Sequence, residues 1–486
     1  MTEDKSKDVK DIGITVKKSE DFSEWYTQTI LKSELIEYGP VSGCMVIRPY
    51  AYALWENTQK FFDPKIKKMG IENAYFPMLI PESLFHKEKE HVEGFNPEVA
   101  WVTHGGDTEL PEKLAIRPTS ETIMYDSYRK WIRSWRDLPL KINQWCNIVR
   151  WEFKHPVPFL RTREFLWQEG HTVFATREEA EKEVYEILDL YTEVFEQLYA
   201  VAVMKGIKSD NEKFAGAVMT TSVEMFFPNG KAIQGGTSHL LGQNFSKAFD
   251  ISFLDKSGNK EYAWQNSWGI STRGLGIMLG IHGDDKGVVM PPRVAPLQVV
   301  IIPIIFEDTK DKVLKKCCEL KEELLKHDIR VIIDDSDYRP GWKFNKWEMK
   351  GVPIRVELGP KDLDSKTVKI AFRYNNTKEV ISFETHTFAS KIKKSLEEIQ
   401  NIMLENSRKM LKEATIPCNT VDDLLRIVED KKIGFAPFCN DKACEVSIKD
   451  KTGAKTLNTP LNLKDGEHKC INCGKPARLF YFGKSY

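Results

Sequence analysis

The sequence predicts a mixed chain, α/β with α+β character, made of three folded units in tandem. Three observations predict it. Between Ser42 and about Gly287, strand-like apolar runs alternate with helical ones. Between Leu297 and Arg373 the order is strand, helix, strand, helix, strand, strand. Beyond residue 410, four of the nine cysteines gather in two close pairs. A length of 486 residues excludes a single small module, and 41% hydrophobic residues are enough for several cores.

In chain order, residues 1–20 read as a charged lead-in, followed by a short amphipathic helix before residue 40. The first unit spans 21–290. Its strands are expected at Ile142 to Trp151, Phe165 to Thr176 and Ala263 to Trp268. A capping box, Thr176-x-x-Glu179, opens a helix whose apolar face is Ala180, Val184, Ile187, Tyr191, Val194 and Leu198. The proline-rich stretch Gly287 to Pro296 reads as a connection. The second unit, 296–405, is a three-layer α/β domain. Its strands are expected at Leu297 to Phe306, Ile329 to Ile333, Pro353 to Leu358 and Thr367 to Arg373, with helices at Asp311 to His327 and around Trp342 to Lys350. The third unit, 410–486, holds the paired cysteines.

Lys+Arg and Asp+Glu both number 71, so a uniformly basic nucleic-acid coat and an acidic disordered chain are excluded. The first 24 residues lack the apolar core of a signal peptide. The longest apolar run, Val294 to Phe306, is broken by Pro296, Gln298 and Pro303, and a spanning helix needs about 20 residues. A cytoplasmic protein without a membrane segment is expected. In that compartment Cys439-x4-Cys444 and Cys470-x2-Cys473 favour one structural Zn²⁺ over disulfides. Four thiolates close the coordination sphere and leave no position for a catalytic water.

Two glycine signals lead nowhere. Gly483-Lys484-Ser485 lacks the first glycine of a phosphate loop, and the chain has no room for the helix that must follow. Gly274-x-Gly276-x-x-x-Gly280 misses the dinucleotide spacing by one residue. The stretch from Lys141 to Gly170 is richer, reading as strand, long loop, strand. Lys141, Arg150, Lys154, Arg161 and Arg163 oppose a single acid, Glu152, up to Arg163. On a strand, Arg150 and Glu152 share a face. Guanidinium forks suit a polyphosphate; a solvated hairpin is the plain alternative.

Arg150-x-Glu152, a loop, then Arg161-x-x-x-Phe165 resembles the second signature motif of class II aminoacyl-tRNA synthetases. Gly70 to Pro77 resembles the first motif, whose proline lies at the dimer interface; Thr272-Arg273 and the glycines to Gly280 stand where the third is found. The class I signature strings are absent. Within that class the chain resembles prolyl-tRNA synthetases of the archaeal and eukaryotic cytosolic type. The resemblance runs through Arg117–Glu121 (RPTSE), Gln234–Lys247, Asn266–Arg273, His282–Pro296, Arg339–Pro360 and the four C-terminal cysteines. About 100 residues separate the second and third motifs, too few for the editing domain inserted there in the bacterial type.

The resemblance implies a class II antiparallel-sheet catalytic domain, an anticodon-binding domain and a C-terminal zinc-containing domain. It implies ATP-dependent ligation of L-proline to tRNA(Pro) through prolyl-adenylate by a homodimer, with Mg²⁺ between the phosphates. Position by position, Arg150 bridges the proline carboxylate and the α-phosphate, Glu152 accepts from the adenine amino group, and Phe165 stacks on its ring. Arg161 and Arg273 hold the γ-phosphate, with Gln234, Thr237 and Ser271 completing the nucleotide site. Thr119, Glu121, Trp167, Glu169 and His239 match the proline pocket. Arg339, Lys343, Lys346 and Lys350 begin the anticodon segment, the lysines sharing one helical face, and Trp342, Phe344 and Trp347 read mainly as core. Tyr486 matches the terminal tyrosine whose carboxylate reaches toward the catalytic domain. The rival readings are a class IIa enzyme for threonine, histidine or glycine, and a synthetase-like protein that binds RNA without catalysis.

Overall fold

The computed structural model describes residues 13–85, 98–152, 155–383, 387–461, 463 and 468–486. Most of the lead-in, and Lys154, lie outside the described residues. The amphipathic helix forms as α1 (Phe22–Lys32), its first turn capped by the Asp21 carboxylate, which accepts from the Ser23 and Glu24 amides. Helix α2 (Pro49–Lys68) starts on a proline, where the missing N–H costs nothing. Helix α3 (Glu121–Trp131) follows.

The first unit is organised by β1 (Leu140–Val149), β2 (Glu164–Phe174), α4 (Arg177–Glu193), β3 (Met204–Ile207), β4 (Met219–Phe226), β5 (Lys231–Gly242), β6 (Trp264–Ser271) and α5 (Arg273–His282). The strands pair antiparallel in the order β1, β2, β6, β5, β4, β3, and the short strand Glu72–Asn73 joins β1 in parallel. The sheet is therefore antiparallel, as the resemblance implied. The capping box at Thr176 is present, and all six apolar positions of the predicted helix are buried. The last two, Val194 and Leu198, lie in a π-helical turn that extends α4. Helix α4 covers one sheet face, where Gly170 leaves room for Trp268: a Cβ there would fall 2.1 Å from the indole. The opposite face is left open at its centre.

The second unit comprises β7 (Val299–Pro303), α6 (Lys310–Lys326), β8 (Val331–Ile333), α7 (Pro340–Met349), β9 (Ile354–Leu358), β10 (Thr367–Phe372) and β11 (Lys378–Ser382). Strand order is β8, β7, β9, β10, β11, parallel among the first three and antiparallel thereafter. Period-two alternation builds the three layers. Val299 and Ile301 pack with Val313, Cys317 and Leu320 of α6, whereas Val300 and Ile302 pack with Trp347 of α7. Strand β11, absent from the sequence expectation, extends the antiparallel side.

Helix α8 (Phe388–Ala414) crosses the predicted boundary at 405–410 without a break: Ile392, Leu396, Ile399 and Met403 bury one stripe against the second unit, and beyond the boundary Ala414 packs with Met204, Phe226 and Ile433. The third unit adds β12 (Ile433–Phe438), α9 (Lys442–Thr452) and β13 (Pro476–Ser485). Strand β13 pairs antiparallel with β12, and its end continues in parallel along β5, with Lys484 opposite Lys231 and Ser485 opposite Ala232. The C-terminal unit is thereby an extension of the catalytic sheet.

Among the basic residues counted on the hairpin, Lys141 is engaged internally. Its ammonium stands 3.4 Å from Glu183 of α4, itself buried. Glu183 also accepts from Thr172 and, at 3.1 Å, from the Asn266 amide. Burial pushes this carboxyl above the usual range despite those partners. One side chain so ties α4 to β1, β2 and β6. Glu183→Ala strands a mostly buried ammonium and two polar groups, a loss of about 3–5 kcal/mol. Its first thermal transition is expected to fall well below that of wild type in calorimetry, with Glu183→Gln between the two.

Candidate active site

The open face of the antiparallel sheet holds a cavity of about 280 Å³. The pleat decides its lining. On β2, Trp167, Glu169 and His171 alternate with Gln168 and Gly170, which face α4. On β6, Ser267, Gly269 and Ser271 line the cavity; on β5, Thr237 and His239 do. Thr119 and Glu121 come from the start of α3, Arg150 from the end of β1, Gln234 from β5 and Arg273 from the start of α5. Eleven of the thirteen ATP- and proline-site residues implied by the sequence meet in this one cavity: Thr119, Glu121, Arg150, Phe165, Trp167, Glu169, Gln234, Thr237, His239, Ser271 and Arg273.

Two do not. Strand β1 ends at Val149, so Arg150 and Glu152 do not share a strand face as expected, and Glu152 is exposed outside the cavity lining. Arg161 precedes β2 and lines an adjoining cavity of about 200 Å³ together with Arg273, Lys208, Glu212, Glu224 and the terminal Tyr486. Arg163 turns away altogether. Its guanidinium donates to the Ser42 carbonyl at 3.0 Å and stacks over Trp151.

At one end of the cavity are cations. Arg150 donates Nε–H to the Pro118 carbonyl at 3.0 Å and lies over the rings of Phe165 and Trp167. Arg273 donates Nε–H to the Leu160 carbonyl at 3.0 Å. Burial, reinforced by Arg150 and Arg161 nearby, lowers its pKa to about 10, which leaves it charged at neutral pH. Both side chains are anchored through Nε, and Arg273 also makes a long 3.5 Å contact from Nη1 to the Gln234 carbonyl.

The other end is a polar floor under aromatic walls. Burial works against the Glu169 carboxylate, but hydrogen bonds from His171 at 2.9 Å, Ser120 and Gln144 outweigh it and hold it below the usual range. Thr119 donates to Glu121. The neighbouring His171 is buried too; Glu169 and Glu121 more than offset that burial and raise its pKa. His239 is the reverse case, pushed down to about 3 by burial, Lys208 and His171, so its imidazole is neutral. Its Nδ1 bonds Thr220 at 2.9 Å, and the Phe214 ring lies 4.7 Å from it. Sequence reasoning missed His171, Lys208, Glu212, Phe214 and Thr220, all of which line the cavity. His171 was within reach, two residues beyond Glu169 on one strand face; Phe214 sits in a connection whose path no periodicity reveals.

The four sulfurs of Cys439, Cys444, Cys470 and Cys473 lie within 4.8 Å of one another, with Cys444 to Cys470 at 3.6 Å and Cys439 to Cys473 at 3.5 Å. Zn–S bonds of about 2.3 Å in a tetrahedron put sulfurs roughly 3.8 Å apart. The donor set and its spacing fit a tetrahedral ion, and none of the nine cysteines is in a disulfide.

The lysine face of α7 requires correction. Lys343 is buried and donates to the Asp334 carbonyl, and Lys350 is ion-paired with Glu34 of the first unit. Lys346 leans on the Trp347 ring near Asp334. Only Arg339, at the start of α7, is exposed. The basic opening of this unit is elsewhere: a cavity of about 280 Å³ lined by Lys286, Arg355, Arg373 and Lys378 around Phe344 and Trp347. On the first unit, Tyr75 (74% exposed) and Trp131 (49% exposed) flank the exposed Pro77, Met78 and Leu79.

Known proteins agree with this geometry. Residues 101–282 match the tRNA synthetase class II core domain (G, H, P, S and T), residues 298–395 the anticodon binding domain, and residues 421–486 the prolyl-tRNA synthetase C-terminal domain. The chain is 48% identical to the cytoplasmic proline–tRNA ligase of Arabidopsis thaliana, covering 99% of this chain and 93% of that one. It is 50% identical to the proline–tRNA ligase of Clostridium novyi, covering 96% and 97%. It matches the bifunctional glutamate/proline–tRNA ligase of Mus musculus over 98% of its own length and 33% of that longer protein. The crystal structure of prolyl-tRNA synthetase from Cryptosporidium parvum with halofuginone and AMPPNP superposes with a TM-score of 0.94 at 50% identity, covering 98% of this chain and all of that one. With its antiparallel core, arginine-lined cavity and near full-length relatives, the chain belongs to the prolyl-tRNA synthetase family of class II aminoacyl-tRNA synthetases.

Proposed function

We propose that this protein activates L-proline with ATP and transfers it to tRNA(Pro). The observation that carries the reading is the polarity of the cavity, with arginines at one end and a carboxylate-floored aromatic pocket at the other. A substrate carboxylate attacking an α-phosphorus is its own nucleophile, so the protein supplies position and positive charge rather than a general base. Arg150, between the two ends, holds the proline carboxylate against the α-phosphate. Arg273 and, from the adjoining cavity, Arg161 take the γ-phosphate; Phe165 stacks on adenine, and Gln234, Thr237 and Ser271 complete the nucleotide site. Glu152 reaches adenine only if its segment folds over the bound nucleotide. AMPPNP in the Cryptosporidium parvum structure supports an adenine nucleotide here.

Glu121 pairs with the secondary ammonium of proline, aided by Thr119. Trp167, His239 and Phe214 wall the ring, and Glu169 fixes the floor through Ser120 and His171. A neutral His239 suits an apolar ring better than a charged one would. Mg²⁺, when bound, would neutralise phosphate charge; the carboxylates lining the cavity of Arg161 and Arg273 are Glu212 and Glu224, ion-paired with Lys455 and Lys208 respectively. The opening around Phe344, rather than the lysine face of α7, receives the anticodon, with bases against that ring and phosphates against the half-exposed Lys286 and Lys378.

The chain is further read as the archaeal and eukaryotic type, from the short span between its second and third motifs and from its C-terminal unit. Its working domains follow the limits 21–290, 296–405 and 410–486, with α8 as a rigid link. Tyr75, Pro77, Met78, Leu79 and Trp131 form the apolar patch of a homodimer interface. Zn²⁺ sits on Cys439, Cys444, Cys470 and Cys473 as a structural ion. No helix among the described residues is long and apolar enough to cross a membrane. The name of the Arabidopsis relative supports the cytoplasm as location.

ATP–pyrophosphate exchange tests the reading directly: proline should drive it, and threonine, histidine and glycine should not. Arg150→Ala is expected to slow exchange by about 10²–10³-fold or more; wild-type exchange in that variant would sink the mechanism. Apolar pockets reject smaller residues poorly, so alanine should drive slow exchange at high concentration. Metal analysis of the purified protein should find one zinc per chain, and a value near zero with an intact fold contradicts the assignment of zinc to the four cysteines.

A further inference from the structure

The segment 208–217 supplies one wall of the cavity, and it has no secondary structure of its own beyond turns. Lys208, Glu212 and Phe214 reach the cavity from it. Such a segment holds its shape only if something outside it does the holding. The contacts that Ser209 and Asp210 make outside the segment run to the C-terminal unit, whereas Lys208 pairs with Glu224 and the Phe214 amide donates to Thr220 Oγ1 at 2.9 Å within the first unit. Ser209, fully buried, donates to the Glu445 carboxylate of α9 at 2.9 Å and lies 3.0 Å from the Thr456 hydroxyl, which donates to the same carboxylate. The same Ser209 oxygen accepts from the Glu212 amide, closing the turn that leads to Phe214. One residue on, the Asn440 side chain and Asp210 exchange two hydrogen bonds, at 3.0 and 2.9 Å.

Glu445 and Asn440 each follow a metal-site cysteine directly, at Cys444 and Cys439. Asn440 takes the left-handed conformation, with φ of 62°. The cysteine site thus presents two fixed polar groups to the wall of a cavity whose residues it does not itself supply.

We propose that Glu445 is a positioning residue for proline binding, through which the C-terminal unit holds segment 208–217 in the shape that sets Phe214 against His239. The inference rests on the functional reading above. It assigns the C-terminal unit a task in amino-acid recognition in addition to its place as a sheet extension. Lys208 and Glu212 also line the arginine cavity, but Ser209 closes the turn that leads to Phe214, beside His239, so loosening it weakens proline binding more than ATP binding.

The test is proline-dependent ATP–pyrophosphate exchange by full-length protein, with zinc content and thermal unfolding measured on the same preparations. Glu445→Ala and Ser209→Ala are each expected to raise KM for proline about tenfold, with KM for ATP within about twofold of wild type. The double variant is expected to be no worse than either, since both remove one contact. Glu445→Gln, which keeps an acceptor for Ser209, is expected to restore proline KM to within about twofold. Ser209 lies far in sequence from the cysteines, so Ser209→Ala keeps the test sound if Glu445→Ala loses zinc. Unchanged proline KM in Ser209→Ala overturns the proposal. So do equal rises in both KM values, or additive losses in the double variant. Should wild type show no proline-dependent exchange, the functional reading fails instead.

Discussion

A buried carboxylate must be surrounded by donors, and Glu169 imposes that condition on the centre of the catalytic sheet. Its oxygens draw Ser120 from the start of α3, Gln144 from β1 and His171 from its own strand into one network. The network fixes the entry of α3, and with it Thr119 and Glu121. Because it lies on the sheet face opposite α4, the polar floor and the apolar core stay apart. Trp268 and Tyr191 pack on one side while Trp167 and His239 wall the other. The pleat separates the two chemistries at no further cost, since neighbouring residues on a strand face opposite ways.

The same sheet carries the molecule's long-range order. Strand β13 joins the interior strand β5 only at its last residues, Lys484 and Ser485, which places Tyr486 beside Arg161 and Arg273. Tyr486 packs edge-on against Phe227 and under the Lys231 ammonium. The third unit is therefore fastened beside Arg161 and Arg273 through its last strand, and to Ser209 and Asp210 through Glu445 and Asn440. The unit also has an apolar core of its own, with Leu424, Phe438, Ile448, Phe480 and Phe482 buried together, and the sheet ties that core to the rest of the chain.

Much of this was legible in the sequence, for reasons that differ by residue. The helix after Thr176 announced itself by a capping box and a 3.6-residue period, and both survive in the structure. The strand-helix alternation from Val299 to Phe372 was equally plain. The aromatic end of the cavity was not: Trp167 and His239 look like core on their own, and only the resemblance singled them out. The lysines of α7 mislead for a physical reason. A helical face of lysines is equally consistent with ion pairs to neighbouring units, and Glu34 and the Asp334 carbonyl supply such partners. Glu152 was misplaced because strand β1 stops at Val149, and strand ends depend on pairing that local sequence does not encode.

The equal count of acids and bases now has a structural meaning. From Arg339 to Arg373 nine Lys/Arg stand against four Asp/Glu, and from Lys141 to Arg163 five stand against one. Yet the surplus is not a diffuse coat, because much of it is consumed. Lys141 answers Glu183, Lys343 caps a carbonyl, and Lys350 answers Glu34. Arg150 and Arg273 of the central cavity are anchored to carbonyls rather than to acids, and a guanidinium keeps its charge even when buried. Arg273 illustrates the point, since a pKa lowered to about 10 still leaves it cationic. A lysine carried through the same fall would sit much nearer neutrality, as Lys18 does at about 8. A buried cation that must stay charged is therefore better supplied by arginine than by lysine, and overall charge says little about where a buried cation sits.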